Sequence, residues 1–219
     1  MERTVRTLAF ARVTKHQMNS SQVIAAPILF RPASYIERLD LGSLFSKVQP
    51  IEVELGAGDG SFILQWAAKH PERDFLAVER LLGRLRKIEK RASRAGLANL
   101  RGMRIEAAYF AEYLLPAGSV SAFHIYFPDP WPKLRHRKNR LINERFTEVL
   151  RAALTLQGVV YLRTDDTDYF QQMQRVFDGS ANFEPTDTPR ELAEVMTDFE
   201  AEFNAKGIRT NRAAYRRAR

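Results

Sequence analysis

Asp129 stands between Pro128 and Pro130, with Trp131 and Pro132 next, so the backbone carrying this carboxylate is stiff on both sides. The apolar run before it ends at Phe127, as a buried strand would end. Five cations follow within eight residues: Lys133, Arg135, Arg137, Lys138 and Arg140. A carboxylate can accept from ring N–H and amino groups, an indole can stack on a base, and cations seek phosphates. Together they suit a pocket for a nucleic-acid base. The plainer alternative is a proline-stiffened loop leading into a solvated basic helix start.

A second constellation lies upstream, at Glu54-Leu55-Gly56-Ala57-Gly58-Asp59-Gly60. Glycines let a strand-to-helix connection turn tightly and let the backbone approach a ligand where a Cβ would collide. A phosphate-binding dinucleotide fingerprint needs G-x-G-x-x-G, whereas the spacing here is G-x-G-x-G. With the acid placed two residues earlier, the pattern resembles motif I of class I S-adenosylmethionine-dependent methyltransferases. That donor carries an ammonium and a sulfonium, which favour nearby carboxylates. Glu79 comes 25 residues after Glu54, where doubly wound folds place an acid against ribose hydroxyls. A salt bridge to Arg80 or Arg84 is its competing role. Glu106 is placed like the acid that meets the adenine amino group, a task the Ala107 or Ala108 backbone could also perform.

These residues need elements to hold them. Ile51–Leu55, Asp74–Val78, Leu100–Ile105, Val120–Phe127 and Val159–Arg163 read as strands. Between them Phe62–Ala68, the repeat Leu81, Leu82, Leu85, Ile88, Ala92, the repeat Ile142, Phe146, Val149, Leu150, Ala153, and Tyr169 to Phe177 read as helices. Strands alternating with helices predict an α/β fold: a doubly wound, mostly parallel sheet with helices on both faces. All three acids, and Asp129, then fall at carboxyl ends of strands, where open α/β sheets bind ligands. Residues 1–50 read as a basic N-terminal arm and lead-in, with about the first 20 expected to be mobile or ordered only on a partner, and residues 51–219 as one domain.

Composition narrows the function classes. The formal net charge is +8, concentrated in the first 16 residues, in 84–104, in 133–140 and in 206–219, which favours a polyanionic partner. With no cysteine and four scattered histidines, neither a disulfide nor a catalytic metal is expected. No apolar run has signal or membrane-spanning length, so the expectation is a cytoplasmic protein that meets no membrane.

The segment Phe127-Pro128-Asp129-Pro130-Trp131, followed by Lys133, Arg135-His136, Lys138 and Arg140, resembles the tRNA (guanine-N7-)-methyltransferase family. The likeness runs from about Ile51 to Gly207 and includes the glycine block, Leu97-Ala98-Asn99-Leu100-Arg101, Arg163-Thr164-Asp165 and Thr197-Asp198-Phe199-Glu200. Residues 1–50 and the last dozen carry no such resemblance. The resemblance implies a class I, Rossmann-like enzyme that moves a methyl group from S-adenosyl-L-methionine to N7 of a guanine in the variable loop of tRNA, without a metal, as a monomer or homodimer. Carried over residue by residue, donor contacts fall on Glu54, Gly56, Gly58, Glu79 and Glu106, and the catalytic-site acid on Asp129. Substrate contacts fall on Lys133, Asp165, Thr197, Asp198, Phe199 and Glu200. Two positions depart from the family pattern: Glu106 stands where Asp or Asn is common, and Asp198 replaces a basic residue.

Chemistry points the same way. Guanine N7 has an in-plane lone pair and no proton to lose, so its attack on a sulfonium methyl needs no general base. What remains is alignment and stabilisation of the cationic base that forms, and one carboxylate such as Asp129 can serve both. Arg137, Lys138 and Arg140 are expected on backbone phosphates. Trp131 either stacks on a base or packs its loop. Phe199 is expected in the core, sharing a helical face with Leu192, Val195, Met196 and Phe203. Two other functions fit the same residues: a class I methyltransferase acting on another RNA base or on protein, and a non-catalytic RNA-binding protein. Intact Glu54, Gly56, Gly58, Glu79 and Asp129 count against the second.

Overall fold

From Ile51 onward apolar runs and amphipathic runs take turns, and in the computed structural model, which describes residues 27–219, they become strands and helices in turn. The expected cations of the arm at Arg3, Arg6, Arg12 and Lys15 lie outside the described residues. Eight strands form one sheet: β1 (Leu29–Phe30), β2 (Ile51–Leu55), β3 (Asp74–Glu79), β4 (Leu100–Arg104), β5 (Val120–Tyr126), β6 (Leu154–Thr164), β7 (Phe183–Pro185) and β8 (Asn211–Arg217). Their order is β1-β4-β3-β2-β5-β6-β8-β7. All neighbours from β1 to β6 pair in parallel, and β8 runs antiparallel to both β6 and β7. The chain therefore winds outward in both directions from β2 and β5, and the crevice at their carboxyl ends is where such a sheet binds ligands.

Helices cover both faces. One layer contains α1 (Ile63–Lys69) and α2 (Leu82–Ala95). The other contains α4 (Glu144–Ala153), α5 (Thr167–Asp178) and α3 (Ala107–Tyr109), which runs into a wider turn at Phe110–Leu114. Two short helices, α6 (Arg190–Glu194) and α7 (Asp198–Ala205), follow β7. Being covered on both faces, the central strands are buried along their length, as at Phe75, Leu76, Ala77 and Val78. On one side Phe62, Trp66, Leu85 and Ile88 pack against the sheet, and on the other Phe110, Phe123, Ile142, Phe146 and Met173. Ile28, Leu39, Leu41 and Phe45 are also buried, and β1 adds a strand at the sheet edge.

Local chemistry moved three boundaries. Asn143 caps α4 by accepting from the Phe146 amide at 3.0 Å, so Ile142 is buried just ahead of the helix rather than in it. Strand β6 starts at Leu154, directly after α4, with a register shift between β5 and β6 and a left-handed Gln157 (φ 64°). Thr197 caps α7 by accepting from the Glu200 amide at 3.0 Å, and this break splits what reads in the sequence as one helical face. Leu192 and Val195 stay buried, but Met196 and Phe199 turn outward at 45% and 47% exposure. The expectation that Phe199 lies in the core is thus corrected.

Candidate active site

At the end of β2 the chain turns through Gly56, Gly58 and Gly60, whose φ values of 84°, 57° and 83° only glycine adopts at little cost. Gly60 has a second reason to lack a side chain: a Cβ there would lie 2.8 Å from Ile88 of α2. The Gly56 and Ala57 amides both donate to the Val78 carbonyl at 2.9 Å, tying the turn to the end of β3. The Gly58 amide donates to Glu79 Oε2 (3.0 Å), and the Leu81 amide to Glu79 Oε1 (2.7 Å). Glu79 therefore joins the glycine turn to the start of α2. Each of its oxygens keeps one lone pair for a ligand. Arg84 stands 3.8 Å away, so the ion-pair role also holds, at longer range.

Glu54 is buried beneath this turn, and its Oε2 has no hydrogen-bond partner. Burial pushes its carboxyl well above the usual carboxylate range, against the opposing pull of the Arg163 guanidinium and the Ile63 amide. A buried, under-partnered acid beside a glycine turn fits a ligand that brings its own positive charge, such as the ammonium of S-adenosylmethionine. Glu106 is different. It is exposed, and its two oxygens accept from the Ala108 (2.9 Å) and Tyr109 (2.7 Å) amides as the cap of α3. It lines the cleft, as do Ala107 and Ala108.

The cleft has a volume of about 730 Å³, and it brings Gly56, Glu79, Glu106, Asp129, Lys138 and Arg140 to one place. Leu81, Ile105, Tyr126 and Trp131 add apolar and aromatic walls. Asp129 is exposed there and caps no helix, because the short turn Leu134–Asn139 takes Lys133 as its cap residue. Its corner is strained: Phe127 and Trp131 hold φ values of 51° and 44°, rare for aromatic side chains. Strain at such a site is found where the surrounding structure enforces it. Trp131 is 36% exposed and lines the cleft, its ring perpendicular to that of His136 at 5.9 Å between centres.

The cationic run divides. Lys133, Arg135 and Lys138 are exposed. Arg140 is not: it is 2% exposed and donates to the Pro130 carbonyl (2.7 Å), Gln172 (2.8 Å) and Asp168 (2.6 Å), with its guanidinium 4.8 Å from the Tyr169 ring. The expected phosphate contact at Arg140 is corrected, since its planar fork is already filled and braces the Asp129 corner. Arg137 is intermediate, pairing with the same Asp168 at 3.0 Å while its Nε stays buried and unpartnered.

Thr197-Asp198-Phe199-Glu200 also divides by direction. The Asp198 amide donates to Ser61 at 3.0 Å, which docks this element on the glycine turn. Asp198 and Phe199 face outward, Phe199 against Phe127 at 6.3 Å between ring centres. Thr197 and Glu200 face inward, one as a cap and the other fully buried and paired with Arg163 (2.9 Å) and Arg212. The side chains of Thr197 and Glu200 thus have partners within the protein, and Asp198 and Phe199 are the members of this element that face solvent. Asp165, half-buried just past β6, is not among the residues that line the cleft.

Arg163 is the residue that sequence reasoning missed. It is 2% exposed, donates to the Val195 and Leu192 carbonyls (2.6 Å each) and to Glu200, and lies 4.3 Å from the Tyr126 ring. A cation interrupting the apolar run Val159–Leu162 was its signal, because a buried Arg implies buried acceptors. Among the described residues no cluster of His, Asp and Glu could hold a metal, and no helix is long and apolar enough to cross a membrane.

Solved structures with this fold include the 16S rRNA methyltransferase KamB, with a TM-score of 0.60 and 18% identity over 83% of this chain and 94% of that one. TrmN from Thermus thermophilus has a TM-score of 0.57 and 17% identity over 78% of this chain and 45% of that one. At such identity they speak to the fold alone, a class I methyltransferase fold. The family model described as "Putative methyltransferase" matches residues 48–217, so the likeness includes β8 and reaches past the Gly207 limit expected from motifs. The tRNA (guanine-N(7)-)-methyltransferase of Halorhodospira halophila is 36% identical over 183 residues, covering 81% of this chain and 79% of that protein. That of Geobacter metallireducens is 33% identical over 199 residues, covering 89% and 94%. With these matches over most of its length, the chain belongs to the tRNA (guanine-N(7)-)-methyltransferase family.

Proposed function

We propose that this protein methylates N7 of a guanine in tRNA, with S-adenosyl-L-methionine as the donor. The observation that carries the proposal is the shared cleft: Gly56 and Glu79 on one side and Asp129 with Trp131 on the other, at the point where the sheet order reverses. The relatives in Halorhodospira and Geobacter, both tRNA (guanine-N(7)-)-methyltransferases, support the same substrate.

Glu54, Glu79 and the glycine turn would hold the donor, Glu79 at its ribose hydroxyls and Glu54 toward its ammonium. When bound, the donor supplies an electrophilic methyl on a sulfonium whose sulfur keeps the electron pair of the broken bond. Asp129 accepts from the guanine edge, which fixes the in-plane N7 lone pair toward the methyl position. As N7 gains its bond the ring becomes cationic, and the carboxylate of Asp129 offsets that charge. No side chain removes a proton, because N7 carries none. Trp131 presents a stacking face, while Lys133, Arg135 and Lys138 meet phosphates around the target. Arg140 and Arg163 act from beneath by bracing the loops that carry Asp129 and Phe199.

The test uses tRNA transcripts made with guanosine or with 7-deazaguanosine, in which a C–H replaces N7. Methyl transfer to the first and none to the second is expected. Equal transfer to both would place the methyl on another atom.

A further inference from the structure

Helix α2 connects β3 to β4 on the opposite side of the cleft from the 133–140 run. Its inner stripe, Leu85, Ile88 and Ala92, is buried against the sheet. Its outer surface carries Arg84, Arg86, Lys87, Lys90, Arg91 and Arg94, all exposed. Cations three and four residues apart crowd this face, at Arg86 with Lys90, Lys87 with Arg91 and Lys90 with Arg94. Each such like-charged pair costs a helix a few tenths of a kcal/mol. Arg84 has Glu79 at 3.8 Å and Arg91 donates to the Asp59 carbonyl at 3.2 Å, but the helix itself offers little relief. Its first turn has no acid, its cap position Leu81 makes no side-chain bond, and the one acid, Glu89, sits at the edge of the stripe. An arrangement that opposes the helix's own stability points to a partner with the opposite charge.

The stripe is continuous with the site, because Arg80 and Arg84 line the cleft that holds Asp129 and Lys138. A 14-residue helix extends about 21 Å, far beyond one nucleotide. A polyanion seated over the cleft is therefore flanked by Lys133, Arg135 and Lys138 on one side and by α2 on the other.

We infer that the outer face of α2 is a second RNA-binding surface, which holds the sugar-phosphate backbone of the tRNA away from the methylated guanine. The inference rests on tRNA being the substrate. These cations read no bases; they fix how the folded RNA lies across the sheet.

The experiment compares the full-length protein with the variant Lys87→Gln, Lys90→Gln, Arg91→Gln, Arg94→Gln. Glutamine keeps helix propensity and relieves like-charge repulsion, so the variant's thermal unfolding should match or exceed that of the parent. Binding to total tRNA is measured across a salt series, with methyl transfer and donor affinity in parallel. The logarithmic salt slope should fall by about three units and KM for tRNA should rise about tenfold or more, while kcat and donor affinity stay within twofold. Unchanged slope and KM in a folded variant would overturn the inference and leave the proposed activity intact. If the parent binds tRNA but transfers no methyl to it, a lost slope in the variant still upholds the surface and sinks only the activity. A parent that binds no tRNA overturns the surface.

Discussion

Two carboxylates, Asp129 in the cleft and Glu54 buried beneath the glycine turn, should fail in different ways when altered. Asp129→Ala removes a charge that faces the base, so methyl transfer should fall by roughly 2–4 kcal/mol in the barrier, about 30-fold to 1,000-fold, with donor affinity changed only a few-fold. Calorimetry of the donor alongside single-turnover transfer separates the two, and collapse of donor binding would put Asp129 on the wrong ligand. Glu54→Gln makes the converse case. The folded carboxyl is raised above its ordinary value of 4.5, so its favourable contribution is complete below that pH and is lost as pH rises toward the folded value. At pH 7 the donor-free Glu54→Gln protein should melt above the parent, lose that advantage near pH 4, and bind donor more weakly. A lower melting temperature at pH 7 would show that Glu54 is already satisfied within the protein. The positions of Glu54, Glu79 and Asp129 were legible because spacing alone puts each at the end of a strand. The burial of Arg140 was not, since it depends on Asp168 and Gln172, 28 and 32 residues further along the chain.

At the scale of elements, two guanidiniums hold the segment from α6 to α7 to the sheet: Arg163 of β6 and Arg212 of β8, which donates to the Ala193 carbonyl at 2.8 Å and pairs with Glu200. Arg163 bonds two carbonyls around the end of α6 and the buried Glu200 of α7, and α7 in turn bonds Ser61 on the glycine turn. Arg163→Met leaves the Glu200 charge buried with Arg212 as its remaining partner, and a loss of roughly 3–5 kcal/mol in unfolding free energy is expected. Limited proteolysis should then cut first within residues 190–205, and wild-type stability would mean that the segment is anchored elsewhere. The five central strands could be read from the sequence, because a parallel sheet covered on both faces writes continuous apolar runs. The outward turn of Phe199 could not, because one cap at Thr197 outweighs the 3.6-residue pattern running from Leu192 to Phe203. Strand β8 was missed for a related reason: Asn211–Arg217 is half polar and finds its place only by pairing with β6 and β7.

Across the whole molecule, charge is arranged for a partner larger than the cleft. The exposed members of the 133–140 run are Lys133, Arg135 and Lys138, so neutralising these three should lower the salt slope of tRNA binding by about two units and leave donor affinity unchanged. Neutralising Arg140 instead should cost stability, because its guanidinium is spent inside the protein. An unchanged slope for the triple variant would make the run a solvated face and shift the burden of RNA binding elsewhere. The reaction is defined by which atom receives the methyl group. Its most direct measurement incubates the full-length protein with isotopically labelled S-adenosylmethionine and total tRNA, digests the RNA to nucleosides and identifies the labelled one. Label is expected in 7-methylguanosine alone, and about 30-fold to 1,000-fold less of it when Asp129 is alanine. Label in another nucleoside or in protein, or no label in RNA although the donor binds, would contradict that expectation.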